Sequence, residues 1–105
     1  MVNARTVFDA GAIIGVGIDT TYDPQAGLAT ELRAMNGVLS PRDMMKIIGP
    51  YSAAYLDMGD QIGTLEAGKQ ADIVLLPGNP LEGYWNWLKP RLVVKGGKVV
   101  VEAMR

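Results

Sequence analysis

The sequence contains no cysteine and no histidine among its 105 residues. Without cysteine the chain forms no disulfide, no thiolate metal site and no cysteine nucleophile. Without histidine it offers no imidazole ligand to a metal ion. Its 10 basic and 11 acidic residues nearly cancel, and no run of like charge marks a patch for nucleic acid or an anionic membrane. We therefore expect no nucleic-acid partner.

Long apolar runs are also missing from the sequence. No stretch approaches the ~18 consecutive apolar residues that a membrane span needs, and the first residues have no apolar targeting region. We therefore expect no membrane partner and a cytoplasmic location. A chain of 105 residues has room for one small domain or for the end of a larger one.

Residues 1–60 alternate between helical and strand patterns. Residues 4–10 have the pattern of the last turns of a helix, and Gly11 is placed for a left-handed cap at its end. The continuously apolar run 12–18 predicts a parallel strand that is buried on both faces. A polar loop then leads into a helix predicted over about residues 25–35.

A further helix start is predicted at Ser40. The Ser40 hydroxyl can accept a free backbone amide, Pro41 fits the first helical position, and Asp43 occupies the place of the acidic residue in a capping box. Gly49-Pro50 then predicts a helix end or kink, followed by a short helical piece over residues 51–56.

The pattern changes to strands near Asp60. Short strands are predicted over residues 71–76, 92–95 and 98–102, and Gly96-Gly97 is a strong hairpin signal between the last two. The residues alone therefore predict an α/β chain with a boundary near residue 60 and antiparallel strands after it.

Asp19 is the candidate site residue, because it directly follows the predicted strand 12–18. Carboxylates at that end of a parallel strand are typical of catalytic sites in barrel and open-sheet enzymes. The alternative is that Asp19 only satisfies backbone groups of the following loop, a common role for aspartate. Spacing alone favours this second interpretation.

Three later segments carry a family resemblance, namely residues 62–76 (IGTLEAGKQADIVLL), 79–81 (NPL) and 93–100 (VVKGGKVV). In content and order they resemble the C-terminal end of the amidohydrolase superfamily, in the branch of imidazolonepropionase-like and prolidase-like metal-dependent hydrolases. The resemblance extends over about residues 4–101. The alternative is an unrelated α+β domain that shares the same turn chemistry.

The resemblance implies a fold and a role for Asp19. Residues 1–60 would be the last strand and the following helices of a TIM-type (β/α)8 barrel, and residues 61–105 would be part of a small β-sandwich. Asp19 matches the family aspartate that binds the metal, zinc or a similar divalent ion, and takes a proton from the attacking water. This match reverses the preference that spacing alone gave.

The sequence also departs from the family pattern. The His-x-His motif, the lysine or histidine after the fourth strand and the later histidines have no counterpart, and Gly49 and Tyr51 stand where the family more often has Thr and Asn. A catalytic zinc takes three or more protein ligands, so Asp19 can serve as one only if another segment supplies the histidines. We expect a partial amidohydrolase, from a hydrolase of amide or cyclic amide C–N bonds, that is inactive as an isolated chain.

The competing hypothesis is a non-enzymatic module. An orphaned barrel strand would expose its edges and the apolar side chains of Ile13, Ile14, Val16 and Ile18. Association with another chain would pair the strand edges and bury the apolar side chains. This hypothesis therefore predicts a homo-oligomer or a complex with the missing barrel segment.

Overall fold

The computed structural model of the protein describes residues 2–18 and 24–103. Helices dominate its first half, and all of its strands lie in the second half. In chain order the elements are α1 (Val2–Asp9), α2 (Pro24–Asn36), α3 (Pro41–Lys46), a π-helical turn (Ile47–Tyr51), α4 (Ser52–Tyr55), β1 (Ile73–Leu75), a 3-10 turn (Tyr84–Trp87), β2 (Leu92–Lys95) and β3 (Lys98–Glu102).

The hydrophobic core belongs to the helical half. Leu32 in α2, Met44 in α3 and Ile47 in the π-helical turn are almost fully buried, and Leu39 joins them from the connecting loop. Trp87 of the 3-10 turn packs against this cluster and links the second half of the chain to it. None of the helices among the described residues is long and apolar enough to cross a membrane.

The predicted capping box of α3 is confirmed. Ser40 Oγ accepts the Asp43 backbone N–H at 3.1 Å, and Asp43 Oδ2 accepts the Ser40 backbone N–H at 3.1 Å. Two backbone amides that lack helical partners are thus satisfied by side chains within four consecutive residues.

The predicted kink at Gly49-Pro50 takes the form of a π-helical turn. Pro50 lies inside this turn and has no N–H to donate, so the regular hydrogen-bond ladder is interrupted there. A side chain on Gly49 would place its Cβ 2.8 Å from the Gly63 carbonyl oxygen, so the helix and the later turn approach closely here. Gly63 itself has a φ of +100°, in the left-handed region that favours glycine.

The sheet is antiparallel with the order β1-β2-β3. β2 and β3 form at the predicted positions, and the hairpin glycines Gly96 and Gly97 have φ values of +57° and +83°. β1 is shorter than the predicted strand over 71–76, since it spans Ile73–Leu75. Every residue of β1 and β3 is exposed, so neither face of the sheet is covered along its two edge strands.

The predicted strand over residues 12–18 does not form within the described part of the chain. A strand requires a hydrogen-bonded neighbour, and the described sheet consists of β1, β2 and β3 alone. The segment is also not buried on both faces as predicted. Ile14 and Val16 are half-buried against the helical core, whereas Ile13 is 55% exposed and Ile18 is 39% exposed. The division at residue 60 stays a prediction.

Candidate functional site

Asp19, the predicted site residue, lies outside the described residues. Its role as a catalytic base and as a metal ligand therefore stays a prediction. The structure describes the approach to it, from the end of α1 through the segment 12–18.

The segment 12–18 begins at a glycine cap. Gly11 has a φ of +86°, and its N–H donates to the Phe8 carbonyl at 3.0 Å, so α1 ends as the sequence predicts. The next amide, from Ala12, donates to the Val7 carbonyl at 3.3 Å. The start of the segment is thus fixed to the last turn of α1.

Farther along, one side chain from α4 contacts the segment backbone. Ser52 Oγ accepts the Val16 N–H at 3.3 Å, and the same hydroxyl donates to the Ile47 carbonyl at 2.6 Å. Ser52 belongs to the short helical piece predicted over residues 51–56, and the sequence pattern gives it no role. The one local feature of the sequence that could have pointed to Ser52 is that a polar residue closely follows Gly49-Pro50.

An open cleft of about 450 Å³ lies along the segment. Its lining is mostly apolar, and its polar side chains are those of Ser52 and Tyr55, so it offers few groups for acid–base chemistry. The cleft is lined by Ile13, Ile14, Gly15, Val16, Gly17, Ser52, Tyr55 and Leu56.

The perturbed carboxyl groups of the described residues lie away from this cleft. Burial would raise the pKa of Asp43, but the hydrogen bonds from Ser40 and Arg5 together outweigh it and lower that pKa. The hydrogen bond from Lys69, with help from Thr64, lowers the pKa of Glu66. Both carboxylates hold local structure, so neither shift indicates a catalytic group.

Lys69 holds together the turn in residues 62–76, the segment called the tail motif below. Lys69 Nζ donates to the Gly59 carbonyl at 2.8 Å and to Thr64 Oγ1 at 2.7 Å, and it lies 2.9 Å from Glu66 Oε2. Gly68 permits the turn that brings Lys69 there, with a φ of +91°. The motif is therefore a turn held together by one ammonium group. The side chain of Leu65 in this turn is 76% exposed.

The described residues do not fit a catalytic zinc site. Residues 2–18 and 24–103 contain no group of three or more His, Cys, Asp or Glu side chains that could hold a metal ion. The complete sequence supplies no histidine either. Any imidazole ligand of a metal centre built on Asp19 would have to come from outside this chain.

Comparison with known proteins identifies the family. The model of the Amidohydrolase family matches residues 1–100. The fold supports the same assignment, because solved structures of prolidases superpose on nearly the whole chain. The chain belongs to the amidohydrolase family, which confirms the resemblance seen in the sequence.

Individual relatives agree with this assignment. The chain is 30% identical over 110 residues to the imidazolonepropionase of Geobacillus sp. (strain WCH70), covering 98% of this chain and 26% of the relative. It is 31% identical over 96 residues to the ochratoxinase of Aspergillus niger, covering 86% of this chain and 20% of the relative. A solved prolidase-like structure from Bifidobacterium longum matches with a TM-score of 0.83 at 34% identity, over 95% of this chain and 26% of that one. The chain thus spans between a fifth and about a quarter of the length of these relatives.

Proposed function

We propose that this chain is the C-terminal part of an amidohydrolase that hydrolyses an amide or cyclic amide C–N bond, and that it is inactive on its own. The observation that carries the proposal is the unequal coverage: the match takes in 98% of this chain but 26% of the imidazolonepropionase. The names of the relatives, imidazolonepropionase, ochratoxinase and prolidase, support the class of reaction. The rest of the barrel would come from another segment.

Asp19 is the residue through which this chain would take part in the reaction. It follows the segment 12–18, whose start is fixed to α1 and whose middle is bonded to Ser52. In the complete assembly Asp19 would be a ligand of zinc or a similar divalent metal and would accept a proton from the attacking water. The other ligands would come from the missing segment, since this chain has no histidine.

The test is a chimera in which this chain replaces the matching quarter of the Geobacillus imidazolonepropionase. We expect the chimera to bind zinc and to show imidazolonepropionase activity, whereas the isolated chain does neither. Asp19→Asn should lower activity by at least ~100-fold, as expected for loss of a proton-accepting group. Asp60→Asn is the matched control, because Asp60 is an exposed carboxylate at the other end of the helical half. Full activity in the Asp19→Asn chimera would exclude the proposed role.

A second candidate function, a self-associating module, is favoured by the exposed apolar surface. Ile13 is 55% exposed beside the cleft, and Val74, Leu75 and Val100 of the edge strands are each at least 50% exposed. Unpaired strand edges with apolar side chains favour association, so we propose that the isolated chain forms homo-oligomers.

Sedimentation velocity over a range of protein concentrations tests the oligomer. We expect the mean mass to rise with concentration, and Val100→Lys to shift the distribution toward the monomer because it charges an edge strand. Thr30→Lys is the control, since Thr30 is exposed on α2 and away from the strands. A monomer at every concentration would exclude the module, while the hydrolase proposal would stand on the chimera alone.

A further inference from the structure

Ser52 lies where the helical half meets the segment that leads to Asp19. It lines the 450 Å³ cleft on one side of the segment, and it also lines a second cavity of about 320 Å³ that Val16, Leu28, Leu32, Ile48 and Trp87 complete. Ser52 is therefore a polar residue set between two apolar cavities.

The hydroxyl of Ser52 has its proton and a lone pair committed to protein partners. It donates to the Ile47 carbonyl at 2.6 Å and accepts from the Val16 N–H at 3.3 Å. The Ile47 carbonyl also accepts the Ser52 backbone N–H, so the π-helical turn fixes both ends of this side chain. The donor bond orients the oxygen so that its free lone pair can face Val16.

The bond to Val16 is the one hydrogen bond between a side chain and the backbone of 12–18 that the described residues show. Ala12 is fixed to Val7 at the start of the segment, and from there to Ile18 the described backbone has no other hydrogen-bond partner. Val16 precedes Asp19 by three residues in the sequence. Within the described part of the segment, the bond to Ser52 is thus the hydrogen bond nearest to Asp19 in sequence.

We propose that Ser52 is a positioning residue that fixes the segment 12–18 and so sets where Asp19 stands. This rests on the proposed function for the role of Asp19, but the anchor itself can be observed without any activity. Ser52 would touch neither substrate nor metal. It would act through the backbone of Val16 alone.

The first experiment measures amide hydrogen exchange in the isolated chain. Ser52→Ala should speed exchange at Val16 by roughly two- to tenfold, the factor that one lost hydrogen bond corresponds to. Ser52→Thr keeps a hydroxyl and should restore the slow rate. Ser40→Ala is the matched control, because it removes the hydroxyl of the other serine from a helix cap that does not contact the segment. Equal exchange at Val16 in Ser52→Ala and wild type would overturn the anchor.

The second experiment uses the imidazolonepropionase chimera. Ser52→Ala should lower kcat by at least about tenfold with little change in KM, since a misplacement of ~1 Å at a reacting group can cost ~100-fold. Ser52→Thr should recover most of the loss, and Ser40→Ala should leave kcat unchanged. If Ser52→Ala does not fold, Ser52→Cys is the milder variant, because its thiol is a weaker acceptor of similar size.

The two experiments separate the two proposals. A chimera that is inactive with Ser52 intact would overturn the proposed function, and Val16 exchange would still decide whether Ser52 is an anchor. An active chimera whose kcat is unaffected by Ser52→Ala would overturn the positioning role and leave the hydrolase proposal in place.

Discussion

Arg5 in α1 and Asp43 in α3 form an ion pair in which Arg5 Nη1 lies 2.9 Å from Asp43 Oδ2. The same carboxylate oxygen accepts the Ser40 backbone N–H at 3.1 Å. One atom thus completes a helix cap and joins two helices of the core. The side chain of Asp43 is 15% exposed and that of Arg5 is 43% exposed, so the two partners do not contribute equally.

This geometry predicts a larger loss from the acid than from the base. Asp43→Ala should lower the free energy of unfolding by about 1–3 kcal/mol, because it removes the cap and leaves Arg5 without this partner. Arg5→Ala should cost less, because it removes the ion pairs of a partly exposed side chain with Asp9 and Asp43 and leaves the cap intact. Urea unfolding of both variants measures the difference. An equal loss of stability in both variants would contradict the larger contribution of Asp43.

The same carboxylate predicts a pH dependence. Burial would raise the pKa of Asp43, but the Ser40 hydrogen bonds and Arg5 lower it below its unfolded value of about 3.9. The folded state therefore binds this proton less readily than the unfolded state. The stabilisation is fully present above the unfolded pKa and is lost as the pH falls through the folded pKa. Asp43→Asn should flatten this acid decline in a series of Tm measurements, whereas a parallel decline in variant and wild type would contradict it.

A hydrogen bond from Gly96 to Asp72 joins the tail motif to the hairpin between β2 and β3. Asp72 Oδ1 accepts the Gly96 N–H at 2.8 Å, across 24 residues of sequence, just before β1 begins. Asp72→Ala should lower the free energy of unfolding by about 1–2 kcal/mol and speed amide exchange at Gly96, because the hairpin turn loses its acceptor. Asp72→Asn keeps an oxygen acceptor and should lose less. Unchanged exchange at Gly96 in Asp72→Ala would show that the bond does not hold the turn.

Local signals account for the parts of the fold that the sequence predicts well. Ser40 and Asp43 form their capping box within one helical turn, and Gly96-Gly97 closes a hairpin between neighbouring strands. In each case the residues that determine the geometry are close together in the chain, so their pattern alone is sufficient to predict the local structure.

Contacts between distant residues account for what could not be predicted. Ser52 bonds to Val16 across 36 residues, and no periodicity or spacing in the sequence reveals that pairing. The strand expected over 12–18 has the correct apolar pattern but needs neighbours that the described residues do not supply. The candidate site depended on family resemblance for Asp19, because a single aspartate after an apolar run has a common structural explanation.

The last prediction compares two glycines at which an added side chain has free space. Any difference between them is therefore due to backbone strain and not to steric crowding. A Cβ added at Gly68 or at Gly59 would meet no atom within 4 Å, but only Gly68 has a positive φ, of +91°. Gly68→Ala should therefore destabilise the chain by about 1–2 kcal/mol through the left-handed backbone alone. Gly59→Ala should be neutral or stabilise it by about 0.4–1 kcal/mol, because alanine reduces the entropy of the unfolded chain. Thermal unfolding of the two variants decides the matter. If both lost the same stability, the turn before Lys69 would not depend on a left-handed residue, and the tail motif would need another explanation for its second glycine.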